Sequence, residues 1–337
     1  MKVFLDTSAD TKHQHRGIGA YTQNLKIALE TQNILLVPNI DQADLIHYPY
    51  FDFFFLTLPL SKPKPTIITI HDTIPLIYPQ HFPPGIRGKI KFTIQKLSLA
   101  GVKSVITDSK SSAHDINKFL KIPPHKIHPI LLASSKIFKP SSKTRIKSLK
   151  AKYSLPDKFI SFVGNINYNK NLSALIKATG QTKANLVINT QANLNSNIPE
   201  VKALLTSINQ LDDKSQVTFI KLANQQELVD FYSASYAYIQ PSLYEGFGLP
   251  VLEAFASGTP VFSANTSSLP EVGGSAAVYF NPKNINSICQ ALTKAYSLTH
   301  SQRQSLIKKG LDQTKKFSWA KTAQQTIQVY QSVFNLR

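Results

Sequence analysis

Short runs of β-branched and aromatic residues alternate along this chain with longer stretches whose apolar residues recur at helical spacing, and this alternation restricts the fold more than any other feature. A strand that must wait for a helix before the next strand cannot close a tight hairpin. It pairs in parallel through a crossover, and the crossover helices cover both faces of the sheet. Strands are expected at 3–5, 35–38, 45–48, 66–70, 104–107 and 128–132, then at 160–163, 185–188, 217–220, 236–239, 260–262 and 277–280. Two doubly wound α/β units follow.

The length supports two units, since 337 residues suffice for two domains of ordinary size, and 42% hydrophobic against 17% charged residues excludes a disordered chain. The segment 138–147 is polar and poor in apolar residues, and a new strand starts after Leu155-Pro156-Asp157. A linker is therefore expected there, with residues 1–150 as the first domain and 151–318 as the second. From Trp319 onward, Ala323, Ile327, Tyr330 and Phe334 keep helical spacing, which predicts a final helix over 319–337.

The chain opens on Met1-Lys-Val-Phe-Leu-Asp, strand-like and without a charged region leading into a long apolar core, so no secretory signal is expected. No apolar run approaches the ~18–20 residues of a membrane span. The expected location is the cytoplasm, with peripheral contact to the cytoplasmic membrane face as an addition. The lone cysteine, Cys289, excludes an internal disulfide and a cysteine-based zinc cluster. His13 and His15 lack a third ligand at suitable spacing, and there is no Asp-x-Asp triplet, so neither a metal site nor a cofactor is expected.

A formal charge of +19 favours anionic partners: nucleotide sugars, acidic lipid headgroups or nucleic acid. Nearly all of it is lysine; arginine occurs only at Arg16, Arg87, Arg145, Arg303 and Arg337, and planar readout of bases leans on arginine. No nucleic acid is therefore expected as partner, and a basic α/β nucleic-acid-binding protein without catalytic activity is kept as the alternative.

The most informative string runs from Pro241 to Glu253, Pro-Ser-Leu-Tyr-Glu-Gly-Phe-Gly-Leu-Pro-Val-Leu-Glu. Pro250 suits the first position of a helix and Gly258 the residue past its end, which puts Glu253 one turn inside and Glu245 in the loop before it. The N–H groups of Gly246, Phe247 and Gly248, with the helix dipole behind them, offer a place for an anion such as a diphosphate. The two acids could hold hydroxyls on either side. Acids near a helix start also serve simple capping, so the spacing alone decides little.

Continued through Ala-Phe-Ala-Ser-Gly-Thr-Pro-Val-Phe at 254–262 and Ser-Leu-Pro-Glu-Val at 268–272, the string closely resembles the donor-site signature of the retaining glycosyltransferases of family 4. The resemblance implies the GT-B fold: two Rossmann-like domains facing a central cleft, with the final helix crossing back to the first domain. It implies a nucleotide-sugar donor on the second domain, held by Gly246, Phe247, Gly248, Leu249 and Glu253, a glycan or lipid-linked acceptor on the first, and Glu245 at the transferred sugar.

Three further segments fit the same resemblance. Arg16-Gly17-Ile18-Gly19 before a helix could be an ordinary strand-to-helix turn, but it is similar to the family's Gly-Ile-Gly loop, with Ala20 where an arginine is frequent; Gly17 and Gly19 then approach the donor and Arg16 the acceptor. His71 and Asp72 follow a buried strand, where a lone histidine often merely ends the strand; the family resemblance makes His71 a catalytic group and Asp72 an acceptor contact. Gly164-Asn165-Ile-Asn-Tyr-Asn-Lys170 resembles the family's phosphate loop, with Asn165 in place of a frequent arginine and Lys170 as the diphosphate contact. This stretch is closest to mannosyltransferase-like members, so GDP-mannose is the preferred donor over other nucleoside diphosphate hexoses.

The aromatic stretch 48–60 and the helical stretch carrying Arg87, Lys89, Lys91 and Lys96 allow two readings, core packing beside a solvated face or a patch for an anionic membrane surface.

Overall fold

The structure is a computed structural model and describes residues 1–8 and 17–335. The chain forms two compact units: Met1–Ala133 joined by the C-terminal segment from Phe317, and Ser134–Lys316.

In the first unit, β1 (Lys2–Leu5), β2 (Leu35–Leu36), β3 (Leu45–Tyr48), β4 (Thr66–Thr69), β5 (Val102–Thr107) and β6 (Ile127–Pro129) form one sheet in the order β2-β1-β3-β4-β5-β6, with every pair parallel. The central strands β3 and β4 are buried at every position, as helices on both faces require. The sixth strand starts at Ile127, one residue earlier than its spacing suggests, and ends at Pro129 on the sheet edge, where the missing N–H takes nothing from the ladder, since Ile130 N still donates to the Thr107 carbonyl at 2.8 Å.

The final helix, Trp319–Asn335, belongs to this first unit. Its Trp319 ring packs 6.1 Å from Tyr21, Thr322 Oγ1 donates to the Leu131 carbonyl at 2.7 Å, and Tyr330 OH meets His47 Nδ1 at 2.7 Å. His47, at 0% exposure, holds Thr69 Oγ1 on its other nitrogen at 2.8 Å. Burial first, and then the nearby His71, push the His47 pKa down to about 3, so a neutral imidazole links the helix to β4.

In the second unit, β7 (Ile160–Val163), β8 (Leu186–Asn189), β9 (Val217–Ile220), β10 (Ala237–Gln240), β11 (Val261–Ala264) and β12 (Val278–Phe280) run parallel in the order β12-β11-β10-β7-β8-β9. The order reverses between β7 and β10. In an open α/β sheet, the crevice beyond the carboxyl ends of such a strand pair is where ligands bind.

The boundary differs from the expected one. Residues 134–150 fold with the second unit because the polar segment is held there: Phe138 is buried against Tyr232, with ring centres 6.2 Å apart, and Ser141 Oγ donates to Asp230 Oδ1 at 2.5 Å. The helix Lys143–Lys152 is fixed by Arg145, whose Nε and Nη2 reach the same carboxylate at 3.0 and 2.9 Å. An apolar-poor stretch reads as linker in sequence, yet one buried acid on another helix is enough to anchor it.

Candidate active site

The loops after β7 and β10 meet at the switch point, and their side chains form one hydrogen-bonded cluster. Lys170 lies in a short 3-10 turn, Tyr168–Lys170, that precedes the helix Leu172–Gly180. Its Nζ donates to Glu245 Oε1 at 2.7 Å and Oε2 at 2.9 Å, with both side chains largely buried. Glu245 Oε1 also accepts from Ser242 Oγ at 2.6 Å and from Gln240 Nε2 at 2.7 Å.

Behind the acid, Gln240 Nε2 donates to Ser242 Oγ at 2.6 Å, and the Tyr238 hydroxyl donates to Gln240 Oε1. Burial, then the charges of Glu245 and Glu253, raise the Tyr238 pKa well above that of an ordinary phenol, so it stays a donor. With that donor on Oε1, the amide can only turn its N–H groups toward Ser242 and Glu245. The carboxylate is thus fixed from behind by a chain of fully buried partners.

The backbone of the same loop is clamped from both sides. Leu243 N donates to the Asn169 carbonyl at 2.7 Å, and Asn169 Nδ2 returns a bond to the Tyr244 carbonyl at 3.0 Å. Across the loop, Glu245 N donates to Ser267 Oγ at 2.8 Å, and Ser268 Oγ lies 2.9 and 2.7 Å from the Glu245 and Phe247 carbonyls. Gly246 and Phe247 both have partners in this arrangement. Gly248 has φ +113°, and a Cβ there would sit 2.9 Å from Leu269 Cδ2, so glycine is required at this turn on both counts.

Glu253 stands apart from Glu245. The helix runs Leu249–Ala256, with Gly248 as its N-cap, which makes Pro250 the second helical residue rather than the first. The helix ends in a Schellman pattern, Gly258 N to the Phe255 carbonyl and Thr259 N to the Ala254 carbonyl, with Gly258 at φ +77°. One turn inside, Glu253 Oε2 accepts from the Tyr232 hydroxyl at 3.0 Å. Burial pushes its pKa up to about 7 and this single hydrogen bond opposes the rise only in part, although an edge of the residue stays open to solvent. Asn165 is exposed at the carboxyl end of β7.

In the first unit, His71 sits just past β4. Its Nδ1 lies 2.8 Å from Asp108 Oδ2, its Nε2 3.1 Å from the Pro49 carbonyl, and the Tyr21 ring meets it edge-on at 4.7 Å. Both partners are acceptors, so the ring satisfies them together only as imidazolium. Burial acts against that charge, but the Asp108 carboxylate, aided by Asp72 and the Pro49 carbonyl, outweighs it and holds the His71 pKa above its usual value. Asp72 uses Oδ1 to accept from Ile74 N at 2.9 Å, opening the short helix Ile74–Ile77. Gly17 has φ +51° and caps the helix Ile18–Thr31, with no atom of the described residues within 4 Å of where a Cβ would be, while Gly19 is buried in the first turn. Arg16, with His13 and His15, lies outside the described residues.

The structure therefore brings Lys170 directly to Glu245 and leaves Glu253 with Tyr232. Sequence reasoning missed Gln240, Tyr238, Tyr232 and Asp108. Two of these, Gln240 and Asp108, stand where a polar residue ends or follows an apolar strand, the position at which ligand-side chemistry gathers in parallel sheets.

Comparison with known proteins gives the family. Residues 145–313 match the family model described as glycosyl transferases group 1, and residues 15–131 that of glycosyltransferase family 4. The serotype-specific mannosyltransferase WbdA of Escherichia coli is 31% identical over 310 residues, 87% of this chain but 37% of that protein, so the chain spans little more than a third of this relative's length. O-antigen chain mannosyltransferase B of Escherichia coli is 26% identical over 97% of this chain and 86% of its own. Among solved structures, a sucrose-phosphate synthase from Thermosynechococcus elongatus superposes with a TM-score of 0.77 at 18% identity, covering 100% of this chain and 99% of that one. HepE of Anabaena, solved with UDP and glucose, gives 0.74 at 16%, covering 98% and 99%. These likenesses give the GT-B fold class, and the residues matched by the family models make this chain a member of the group 1 glycosyl transferases.

Proposed function

We propose that this chain transfers mannose, with retention at the anomeric carbon, from a nucleoside diphosphate sugar to a glycan or lipid-linked acceptor of a cell-envelope polysaccharide. The observation that carries this reading is the buried Lys170–Glu245 pair at the switch point of the second sheet, inside the family match. Mannose and GDP-mannose are preferred because the relatives named above are mannosyltransferases.

In the reaction, the bond from the anomeric carbon to the diphosphate breaks with its electron pair leaving on the diphosphate, and oxocarbenium-like charge builds on the sugar ring. Glu245, fixed from behind by Gln240 and Ser242, offers negative charge to that ring. Lys170 gives two N–H groups to Glu245, and an ammonium has a third for a phosphate oxygen. Glu253, once ionised, accepts from the ribose hydroxyls. The acceptor oxygen forms the new bond; its proton passes to the departing phosphate in a front-face route, and double displacement reaches the same product. His71 serves the sugar only if Nε2 exchanges the Pro49 carbonyl for a ligand oxygen while Asp108 keeps Nδ1.

The absent Asp-x-Asp triplet leaves the diphosphate to protein cations and helix dipoles, so no metal cofactor is proposed. The test is a thermal-shift panel of GDP, UDP and ADP, followed by hydrolysis of GDP-mannose with and without EDTA. GDP should raise the melting temperature most, because a ligand that binds only the folded state stabilises it, and hydrolysis should survive chelation. Tight oligonucleotide binding at physiological salt, with no shift from any nucleoside diphosphate, would favour the basic nucleic-acid-binding alternative instead; activity lost in EDTA and restored by manganese would overturn the metal-free phosphate site.

A further inference from the structure

The helix Gly85–Ser98 in the first unit faces the wrong way for an ordinary surface helix. Its buried positions are Gly88, Gln95 and Ser98, small or polar, whereas Ile86, Ile90 and Leu97 are 81%, 57% and 64% exposed. At roughly 100° per residue, these three fall within about 40° of one another, and Gly88 and Gln95 point nearly opposite. Lys89 and Lys96 then flank the aliphatic stripe on one side, Arg87 and Lys91 on the other.

A neighbouring segment extends the surface. Phe53 and Phe54 turn inward onto Phe92 of the helix at 6.1 and 6.0 Å, while Phe55, Leu56 and Leu60 are 63%, 59% and 63% exposed. Gln95 Nε2 donates to the Asp52 carbonyl at 2.8 Å, and Lys91 Nζ lies 5.1 Å from the Phe55 ring centre, which joins helix and segment as one face. From residue 73 to 107 there is no aspartate or glutamate, while Lys103 adds to the four basic residues of the helix.

We propose that this face docks the protein on an anionic lipid bilayer, with Ile86, Ile90, Leu97 and Phe55 entering the headgroup boundary and the lysines meeting lipid phosphates. An exposed aliphatic stripe between two basic flanks is the pattern of a helix lying in the plane of a membrane interface, and lysine stems can lie along apolar surface while their ammonium groups reach the headgroups. A second copy of the chain is a poor occupant, because an isologous contact would bring two basic patches together. A nucleic acid would use the lysines and leave the aliphatic stripe in water. The inference stands on the first unit alone, and its test needs no sugar transfer.

The test is sedimentation of the full chain with phosphatidylglycerol/phosphatidylcholine vesicles and with pure phosphatidylcholine vesicles. Binding to the anionic vesicles is expected to fall about tenfold or more in Ile86→Ser/Ile90→Ser/Leu97→Ser, which keeps every charge, and in Lys89→Gln/Lys91→Gln/Lys96→Gln. A control of equal charge change outside the proposed face, Lys202→Gln/Lys308→Gln/Lys309→Gln in the second unit, should cost less than about threefold, since it touches neither the aliphatic stripe nor its basic flanks. Unaltered melting curves check that the variants are folded. Equal loss in the control would reduce the effect to the general attraction of a basic protein. Unchanged binding of the serine variant, or its conversion of a dimer to a monomer without loss of vesicle binding, would overturn the proposal.

Discussion

Glu245 and Glu253 are eight residues apart in sequence and have opposite surroundings. Glu245 is fixed by Lys170, Ser242 and Gln240, a set of donors built for a carboxylate. Glu245→Gln should lower kcat by about 100-fold or more with little change in nucleoside diphosphate affinity, because the lost charge matters most as the sugar becomes cationic. Gln240→Leu keeps the acid and removes its support; kcat should fall by roughly tenfold, with the GDP dissociation constant within about threefold of the parent. A purely structural Gln240 would leave kcat alone and change only the melting temperature. Glu253, by contrast, is buried with one donor, and its folded pKa of about 7 lies above the unfolded value of 4.5. The folded state therefore binds the extra proton between those values, and the stability it brings is complete below pH 4.5 and lost as pH rises through 7. At pH 8, Glu253→Gln should stabilise the free protein by up to about 3 kcal/mol, an advantage that fades on acidification, while weakening GDP binding. Chemical denaturation at pH 4.5 and 8, with a GDP titration, checks both halves. GDP affinity of the parent should also fall as pH drops below 7, since a protonated acid is a poorer acceptor for ribose hydroxyls.

At the scale of elements, the final helix is a structural part of the first unit rather than an appendage. Ala323, Val329, Tyr330 and Val333 are buried, and Tyr330 satisfies a nitrogen of the fully buried His47. Ending the chain at Lys316 would expose this apolar face and orphan that nitrogen, a loss of several kcal/mol from a single unit. Hydrogen exchange on the truncated chain should show β1, β3 and β4 unprotected while β7, β8 and β10 keep their protection; equal protection in both sheets would contradict this role. The Leu249–Ala256 helix depends on its stop as well as its start. Gly258→Ala would force a Cβ into φ +77° and to within 3.3 Å of Pro140 Cγ, at a cost of about 1 kcal/mol or more, measurable by denaturant unfolding.

For the whole molecule, the pH dependence of folding combines groups of opposite sign. The His47 folded pKa of about 3 lies below its unfolded value of 6.5, so the unfolded chain takes up the proton first, and stability is complete above pH 6.5 and lost as pH falls toward 3. The stability gap between the parent and His47→Gln should close over that window by as much as about 4 kcal/mol, a difference that cancels the contribution of Glu253. How the chain is partitioned between sequence and tertiary structure follows from the range of the forces involved. Strand positions, the helix start near Leu249, its glycine stop at Gly258 and the final helix were legible in sequence, because periodicity and backbone preference act over a few residues. The same is true of Lys170, Glu245, Glu253 and His71 as candidates, since each lies in a short recognisable string. Tertiary structure alone decided that Lys170 is held by Glu245, that Gln240 and Tyr238 stand behind the acid, that Asp108 grips His71, and that residues 134–150 fold with the second unit. It also decided that the Gly85–Ser98 helix turns its aliphatic side to water, because which face a helix buries depends on the neighbours it meets, and parallel sheet order brings together residues 37 to 75 positions apart that no local pattern connects.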